Sequence, residues 1–288
     1  MSYAFFPGCS LDGAAKDFHR STLAVAARLG LSLPELNDWI CCGSTAAHAS
    51  DPLLAIALPA QSLSNAGGST VAVACAACYS RLKTANHHIS GDAALRARVA
   101  QVIGRDYDGQ TPVAHLLEIL CREVGLARVA SAITRPLAGL KVACYYGCLL
   151  ARPPQITNFD DPENPTLMDQ LLETAGAAPV EWPHKTECCG ASFSITNPAV
   201  VLQLGNQILA MAQAAGADCI ATACPLCQLN LDLRQRDMES VSGRRYNLPV
   251  FYFTQLLGLA MGCPADELSL GSLVVEPKAL LEAKGIGR

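Results

Sequence analysis

Charged side chains are scarce in this chain of 288 residues: Asp, Glu, Lys and Arg make up 16% of it, against roughly 25% in typical soluble domains. So low a fraction predicts either a large buried core or a surface that a partner covers. A basic excess is also missing, because the net charge is −4. Nothing therefore indicates a nucleic-acid partner.

Targeting and membrane-spanning segments are missing as well. Residues 1–6 have no basic region of the kind that opens a secretory signal peptide. The apolar run of residues 250–262 contains Thr254 and Gln255 and is too short to cross a bilayer. We therefore expect a cytoplasmic protein with no membrane span. In that reducing compartment, many cysteines indicate metal or redox chemistry rather than a disulfide framework.

Cysteine, by contrast, is abundant, and ten of the 14 cysteines form two sets of five in the same order. Each set has a single cysteine, then an adjacent pair followed by glycine, then a C-x-x-C motif. The first set is Cys9, Cys41, Cys42, Cys75 and Cys78, and the second is Cys148, Cys188, Cys189, Cys224 and Cys227. One C-x-x-C is weak evidence, because zinc, redox and iron–sulfur sites all use it. Repetition of the whole order predicts a duplicated metal site.

Strand and helix patterns alternate around both sets, which favours parallel sheets. Strands are predicted over residues 2–6, 70–74, 140–144 and 219–223, and a strand followed by a helix over 248–262. Asp51-Pro52 and Asn197-Pro198 are typical helix starts. The cysteines then lie where strands end and helices begin, which is where ligands gather in open α/β sheets. The fold class predicted is α/β, with two pseudo-two-fold-related repeats, each a small, mostly parallel sheet with flanking helices.

The predicted domain boundaries follow from these repeats. Residues 1–110 form the first repeat, 111–138 a helical connector, and 139–288 the second repeat with a C-terminal strand, helix and tail. Helices are expected over residues 92–103 and 113–124. Cys121, in the connector, is interpreted as a buried structural thiol.

Five thiols per repeat exceed what a simple metal site needs. Structural zinc takes four ligands, and so does a cubane [4Fe–4S] cluster. If all five bind iron, the cluster must be opened from the closed cube. Zinc, a thiol relay, and a cysteine of each pair that only packs remain alternatives.

The thiolates would place net negative charge in a desolvated site, so nearby cations and proton donors are candidates for a role. Lys185 and Arg81, three residues from Cys188 and Cys78, are candidate cations, and His184 is a candidate proton donor. The alternatives are solvated surface charges and a structural histidine.

Several long segments resemble the B-subunit (HdrB) family of heterodisulfide reductase. They are KVACYYGCLLARP at residues 141–153, KTECCG at 185–190, CPLCQLNLD at 224–232 and FYFTQLLGL at 251–259. The resemblance extends from Pro7 to Gly262 and is weaker in the first repeat. It implies two noncubane [4Fe–4S] clusters, one per Cys-Cys-Gly (CCG) motif and each held by one set of five cysteines. It also implies that the clusters face each other and that a disulfide is split between them.

The same resemblance implies a role as the catalytic oxidoreductase subunit of a complex. Expected partners are an HdrC-like subunit with cubane [4Fe–4S] clusters, an HdrA-like flavoprotein and a lipoate-binding sulfur carrier protein, and the substrate is a disulfide or sulfane sulfur. An alanine-rich chain with 15 Arg and 6 Lys is typical of a GC-rich genome, which favours the bacterial branch that acts in sulfur oxidation. The alternatives are CoB–CoM heterodisulfide reductase proper and a CCG-type electron-transfer subunit of a lactate, glycolate or succinate oxidoreductase.

Overall fold

Two parallel β-sheets, each flanked by helices, form the framework of the computed structural model, which describes residues 1–287. The first sheet has the strand order β1-β2-β3 and the second the order β5-β4-β6-β7. The strands are β1 Ala4–Phe6, β2 Val71–Val73, β3 Val113–His115, β4 Lys141–Tyr145, β5 Ala178–Pro179, β6 Cys219–Thr222 and β7 Val250–Tyr252. All pairings are parallel, as the alternating sequence pattern predicted.

Helices connect the strands and cover the sheets. As far as β3 they are α1 Gly8–Asp12, α2 Lys16–Arg28, α3 Ser44–Ser50, α4 Pro52–Leu63, α5 Ala76–Gly91 and α6 Ala93–Ile103. Between β3 and β4, α7 Leu116–Glu118, a π-helical stretch Ile119–Gly125 and α8 Leu126–Ala132 follow one another. The later helices are α9 Cys148–Ala151, α10 Pro154–Thr157, α11 Leu167–Thr174, α12 Pro198–Ala214, α13 Pro225–Leu233, α14 Gln235–Ser242, α15 Phe253–Ala260 and α16 Lys278–Ala283. Single 3₁₀ turns lie at Ala191–Phe193 and Leu270–Ser272.

Both predicted proline helix starts are present, but their caps differ. The Asp51 carboxylate accepts the N–H groups of Leu53 and Leu54 at the start of α4, so it satisfies two donors that have no partner within the helix. Asn197 precedes Pro198 at the start of α12, yet its side chain makes no capping hydrogen bond.

The prediction of a helix over residues 113–124 is wrong at its beginning. Val113–His115 is a strand that pairs with Val71–Val73, so the segment after residue 110 completes the first sheet. His115 ends the strand, and its Nδ1 accepts the N–H of Leu117, which caps the helix that follows. The apolar residues of this segment fit the periodicity of a helix as well as that of a strand. Pairing with a strand some 40 residues earlier makes it a strand. The boundaries at 110 and 138 stay a proposed division.

The two repeats pack directly on each other. The ring of Phe18 on α2 stacks on that of Tyr252 at the end of β7, with centroids 4.1 Å apart. The hydroxyl groups of Ser21 and Thr254 are 2.7 Å apart in the same buried layer. This contact fixes the carboxyl ends of both sheets relative to each other. Within residues 1–287, no helix is long and apolar enough to cross a membrane.

Candidate metal centre

The motif cysteines occupy matching places in the two repeats. Cys9 and Cys148 lie at the beginning of the short helix that follows β1 or β4. Cys75 and Cys224 are the N-cap residues of α5 and α13, directly after β2 and β6. The adjacent pairs precede α3 and the 3₁₀ turn at 191–193, and Cys78 and Cys227 sit in the first turns of α5 and α13. Both sets are therefore at the carboxyl ends of parallel strands, where sequence analysis placed them.

The structure brings the thiols of each set together. In the first set, the Sγ atoms of Cys41 and Cys9 are 3.4 Å apart and those of Cys42 and Cys78 are 3.2 Å apart. In the second set, the Sγ atoms of Cys189 and Cys227 are 3.4 Å apart, and Cys148 and Cys188 line the same cavity.

Each set is open on one side. Cys9, Cys41 and Cys188 are exposed and Cys148 is half-buried, whereas the remaining six motif cysteines are buried. Soft thiol ligands that lie in pairs beside such an opening fit a multinuclear cluster, which a small molecule could reach. Among residues 1–287, no three or more His, Cys, Asp or Glu side chains are grouped as ligands of one metal ion.

The two sets also meet each other. Cys75 and Cys224, the equivalent cysteines of the two repeats, lie near each other just after β2 and β6. Beside them, the N–H of Ala76 donates to the carbonyl of Ala223 at 3.1 Å. A second link joins the loops after the cysteine pairs, where the hydroxyl groups of Thr45 and Ser192 are 3.2 Å apart. Equivalent strand ends therefore face each other across the repeat interface.

Crowding of the thiols perturbs their protonation. Hydrogen bonds from the thiols of Cys41 and Cys78 lower the pKa of Cys42 far below its usual range. The Cys148 thiol likewise lowers the pKa of Cys188, to about 6. Because metal ligation needs thiolates, each set holds a sulfur that is already ionised near neutral pH.

Glycines bring the backbone close to these sulfurs. Gly8 and Gly147 precede the first cysteine of each set and have φ values of +66° and +69°. A Cβ atom on Gly8 would lie 3.0 Å from Sγ of Cys78, and one on Gly147 would lie 3.2 Å from Sγ of Cys227. Gly43 and Gly190, after the cysteine pairs, also have positive φ, a backbone conformation that glycine adopts without steric cost.

Lys185 does not face the thiols. Its side chain is buried, and Nζ lies 3.0 Å from Oδ1 of Asp169. The hydroxyl of Tyr146 donates to the other oxygen of Asp169 at 2.5 Å. The carbonyl of Lys185 accepts the N–H groups of Tyr146 and Gly147, so this residue supports the backbone leading to Cys148. A role as a catalytic cation stays a prediction, and none of these contacts supports it.

His184 likewise lies away from the cysteines. Its ring stacks on that of Trp182, with centroids 6.4 Å apart, and it lines a surface recess with Asn206 and Tyr246. Nδ1 is buried without a hydrogen-bond partner. Its proposed role as a proton donor remains a prediction that no contact with a motif cysteine supports.

Two further residues at the cysteines matter more than the sequence suggested. Arg81 lines the cavity of the second set although it belongs to the first repeat. The buried amide of Asn230 donates to the carbonyl of Cys189 at 3.2 Å and lies 3.8 Å from its sulfur. Both residues come three positions after the last cysteine of their set. That shared spacing is the signal that could have identified Asn230.

We expect the Lys185→Met variant to be destabilised by about 3 kcal/mol, since removing one member of a buried ion pair leaves the other charge uncompensated. Burial already raises the pKa of Asp169 above its ordinary value of 3.8. The folded state therefore binds this proton more tightly than the unfolded state, and stability falls as the pH rises above 3.8. The deficit of the variant should grow as the pH rises above 3.8, the ordinary pKa of the carboxyl group. Urea unfolding at several pH values measures it.

The control for this prediction is Lys16→Met, which removes an exposed lysine at the start of α2. Its free energy of unfolding should stay within about 0.5 kcal/mol of the unmodified protein. Equal stabilities of Lys185→Met and Lys16→Met would mean that the buried pair contributes nothing.

Comparison with known proteins agrees with this arrangement. A profile of the cysteine-rich domain (CCG) matches residues 3–83 and 142–232, which contain all ten motif cysteines. The chain is 32% identical to the 8-methylmenaquinol:fumarate reductase membrane anchor subunit of Wolinella succinogenes, over 96% of this chain and 98% of that protein. It is 33% identical to the B subunit of the ferredoxin/F(420)H(2)-dependent CoB-CoM heterodisulfide reductase of Methanosarcina acetivorans, over 93% of this chain and 91% of that protein.

More distant similarities point the same way. A protein of Archaeoglobus profundus that is described as like the heterodisulfide reductase B subunit is 26% identical over 93% of both chains. The crystal structure of a hypothetical protein from Helicobacter pylori superposes with a TM-score of 0.75, at 12% identity, over 96% of this chain and 52% of that one, which shows a shared fold. From the two matched repeats and the relatives that span nearly its whole length, the chain belongs to the heterodisulfide reductase B-subunit (HdrB) family of cysteine-rich CCG-domain proteins.

Proposed function

We propose that this chain is the iron–sulfur catalytic subunit of a heterodisulfide-reductase-like complex. It would cleave or form a disulfide or sulfane-sulfur bond at two noncubane [4Fe–4S] clusters, in cytoplasmic sulfur oxidation. The observation that carries the proposal is the meeting of two complete five-thiol sets at the repeat interface, where the N–H of Ala76, next to Cys75, donates to the carbonyl of Ala223, next to Cys224, at 3.1 Å. A substrate there could be reached from both sets at once.

The chemistry needs two redox centres that act together. Cleaving a disulfide takes up two electrons and two protons and yields two thiols; the reverse direction releases them. Two bound clusters, each held by one cysteine set, would supply one electron apiece. The chain itself holds the ligands in place: Gly8 and Gly147 allow close approach of backbone and sulfur, and Lys185 anchors the turn before Cys148.

Electrons have to enter or leave through partner proteins. An apolar patch lies next to the second cysteine set and consists of Phe193, Ile195, Leu229 and Leu233, all exposed. Its two halves are held together because Ser194 donates to Asn230 and its carbonyl accepts from Arg234. Such a patch supports docking of a protein, for which we propose the HdrC-like subunit with cubane clusters. An HdrA-like flavoprotein and a lipoate-binding sulfur carrier protein complete the proposed set of partners.

Addition of a disulfide or a persulfide to the anaerobic, oxidised protein is expected to change the electron paramagnetic resonance (EPR) signal of its clusters. The physical reason is that sulfur binding to an exposed iron alters the electronic structure of that cluster. A thioether of the same length, which has no sulfur–sulfur bond, is the control ligand and should leave the signal unchanged. An identical signal with and without the disulfide would contradict the proposed reaction.

A second candidate function is an electron-transfer subunit of a respiratory oxidoreductase. It is favoured by the 32% identity to the fumarate reductase membrane anchor subunit of Wolinella succinogenes over 96% of the chain. In that role, the reduced clusters would be reoxidised by a menaquinone analogue and not by a disulfide. Stopped-flow reoxidation with each oxidant distinguishes the two functions.

A further inference from the structure

Arg81 occupies an unusual place between the two cysteine sets. It lies on α5, one turn after Cys78, and is half-buried. Among residues 1–287, no Asp or Glu oxygen lies within ion-pair distance of its guanidinium group, as the ion pairs of the structure involve other cations. Its Nε is buried and has no hydrogen-bond partner within residues 1–287. A half-buried cation without a carboxylate needs another source of negative charge.

The orientation of Arg81 is fixed from the first repeat. Its Nη1 contacts Nε2 of His48 on α3, the helix that follows Cys41 and Cys42. Burial and the charge of Arg81 lower the pKa of His48, which favours the neutral imidazole, whose nitrogen can accept a hydrogen bond from a guanidinium N–H. His48 thus positions Arg81 without neutralising it.

The side chain reaches both sets of thiols. It lies one helical turn after Cys78 of the first set. It also lines a cavity of about 100 Å³ together with the second-set cysteines Cys148, Cys188, Cys189, Cys224 and Cys227. One residue of the first repeat therefore stands beside the ligands of both repeats.

The two repeats are not equivalent in this respect. The position three residues after the last cysteine holds Arg81 in the first repeat and Asn230 in the second. Asn230 is fully buried, and its amide donates to Cys189, a cysteine of its own set. The second repeat thus provides a neutral donor where the first provides a cation, and the positive charge at the repeat interface comes from one side.

We propose that Arg81 is the shared cation of both cluster sites and makes both clusters easier to reduce. This inference rests on the proposed function only in that both sites hold iron–sulfur clusters. Adding an electron to a cluster with thiolate ligands increases a negative charge, and a fixed cation nearby lowers the cost of that step. Removal of this charge from the first repeat should therefore also change the reduction potential of the cluster in the second repeat.

The test is a potentiometric titration of the anaerobic, reconstituted chain, followed by EPR. In Arg81→Gln, the reduced-to-oxidised ratio at a fixed potential should fall about tenfold for both clusters, which corresponds to about 59 mV for one electron. Arg81→Lys keeps the charge and should stay close to the unmodified protein. Arg96→Gln removes a partly exposed arginine that pairs with Asp106, and both potentials should stay unchanged.

The outcomes separate this inference from the proposed function. Signals are assigned to repeats with the Cys189→Ser variant, in which the second site is impaired. A shift limited to the first cluster, or equal potentials in Arg81→Gln and Arg81→Lys, would overturn the inference and leave the proposed function intact. If the reduction potentials of both clusters shifted but their EPR signals did not change on addition of a disulfide, the inference would be upheld and the proposed function refuted.

Discussion

Protein purified and reconstituted without oxygen is expected to hold about eight irons per chain, and Cys189→Ser about four fewer or a cluster of altered type. Cys189 is 3% exposed and its sulfur lies 3.4 Å from that of Cys227. It therefore takes part in the convergent group rather than packing apart from it. Serine offers a hard oxygen in place of a soft thiolate, which is a poor exchange for an iron–sulfur ligand.

The matched control is Cys263→Ser. Cys263 is also buried, at 5% exposure, but it follows α15 and belongs to neither set. Its substitution should leave iron, acid-labile sulfide and the EPR spectrum unchanged. If Cys189→Ser behaved like Cys263→Ser, the fifth cysteine of the second repeat would not be a ligand. Two zinc ions per chain with little iron would refute both clusters at once.

Local signals predicted much of the fold. The strands at β2, β4 and β6 were predicted because short runs of small and branched apolar residues are buried on both faces of a parallel sheet. The start of α4 was predicted because Asp51 is a preferred N-cap residue and Pro52 is favoured at the first helical position. By contrast, β3 was missed because its pairing with Val71–Val73 is made with a distant segment and leaves no local pattern.

In the candidate site, too, local sequence predicted some features, whereas others depend on distant contacts. The spacing of the cysteines predicted two groups of thiols, and the structure brings each group together. Lys185 is near Cys188 in sequence, but its charge is paired with Asp169 on a separate helix, and its role as a catalytic cation stays a prediction. Proximity in sequence also gave too little weight to Arg81, because its effect on Cys148 depends on how the two repeats pack. The surroundings of each of these side chains depend on a partner more than a dozen residues away in the chain. A single sequence does not specify such partners.

The second large effect is expected at Gly147. Its φ of +69° and ψ of 176° lie in a region that only glycine adopts readily. Alanine there should cost of order 1–3 kcal/mol of stability, and its Cβ would press against Sγ of Cys227, 3.2 Å away. Cys227 is held between Cys189 and the first turn of α13. Its sulfur therefore cannot move away from the added Cβ atom without leaving the other cysteines of the second set. We therefore expect Gly147→Ala to lose most of the iron of the second site.

Gly104→Ala separates this steric effect from the cost of a positive φ. Gly104 ends α6 with φ of +71°, and a Cβ atom on it would meet nothing within 4 Å. That variant should lose about 1 kcal/mol of stability and keep its iron. Gly8→Ala should mirror Gly147→Ala at the first site, because its Cβ would lie 3.0 Å from Sγ of Cys78. Iron content equal to that of Gly104→Ala in both variants would show that these glycines serve the turns alone and that the sulfurs have room to move.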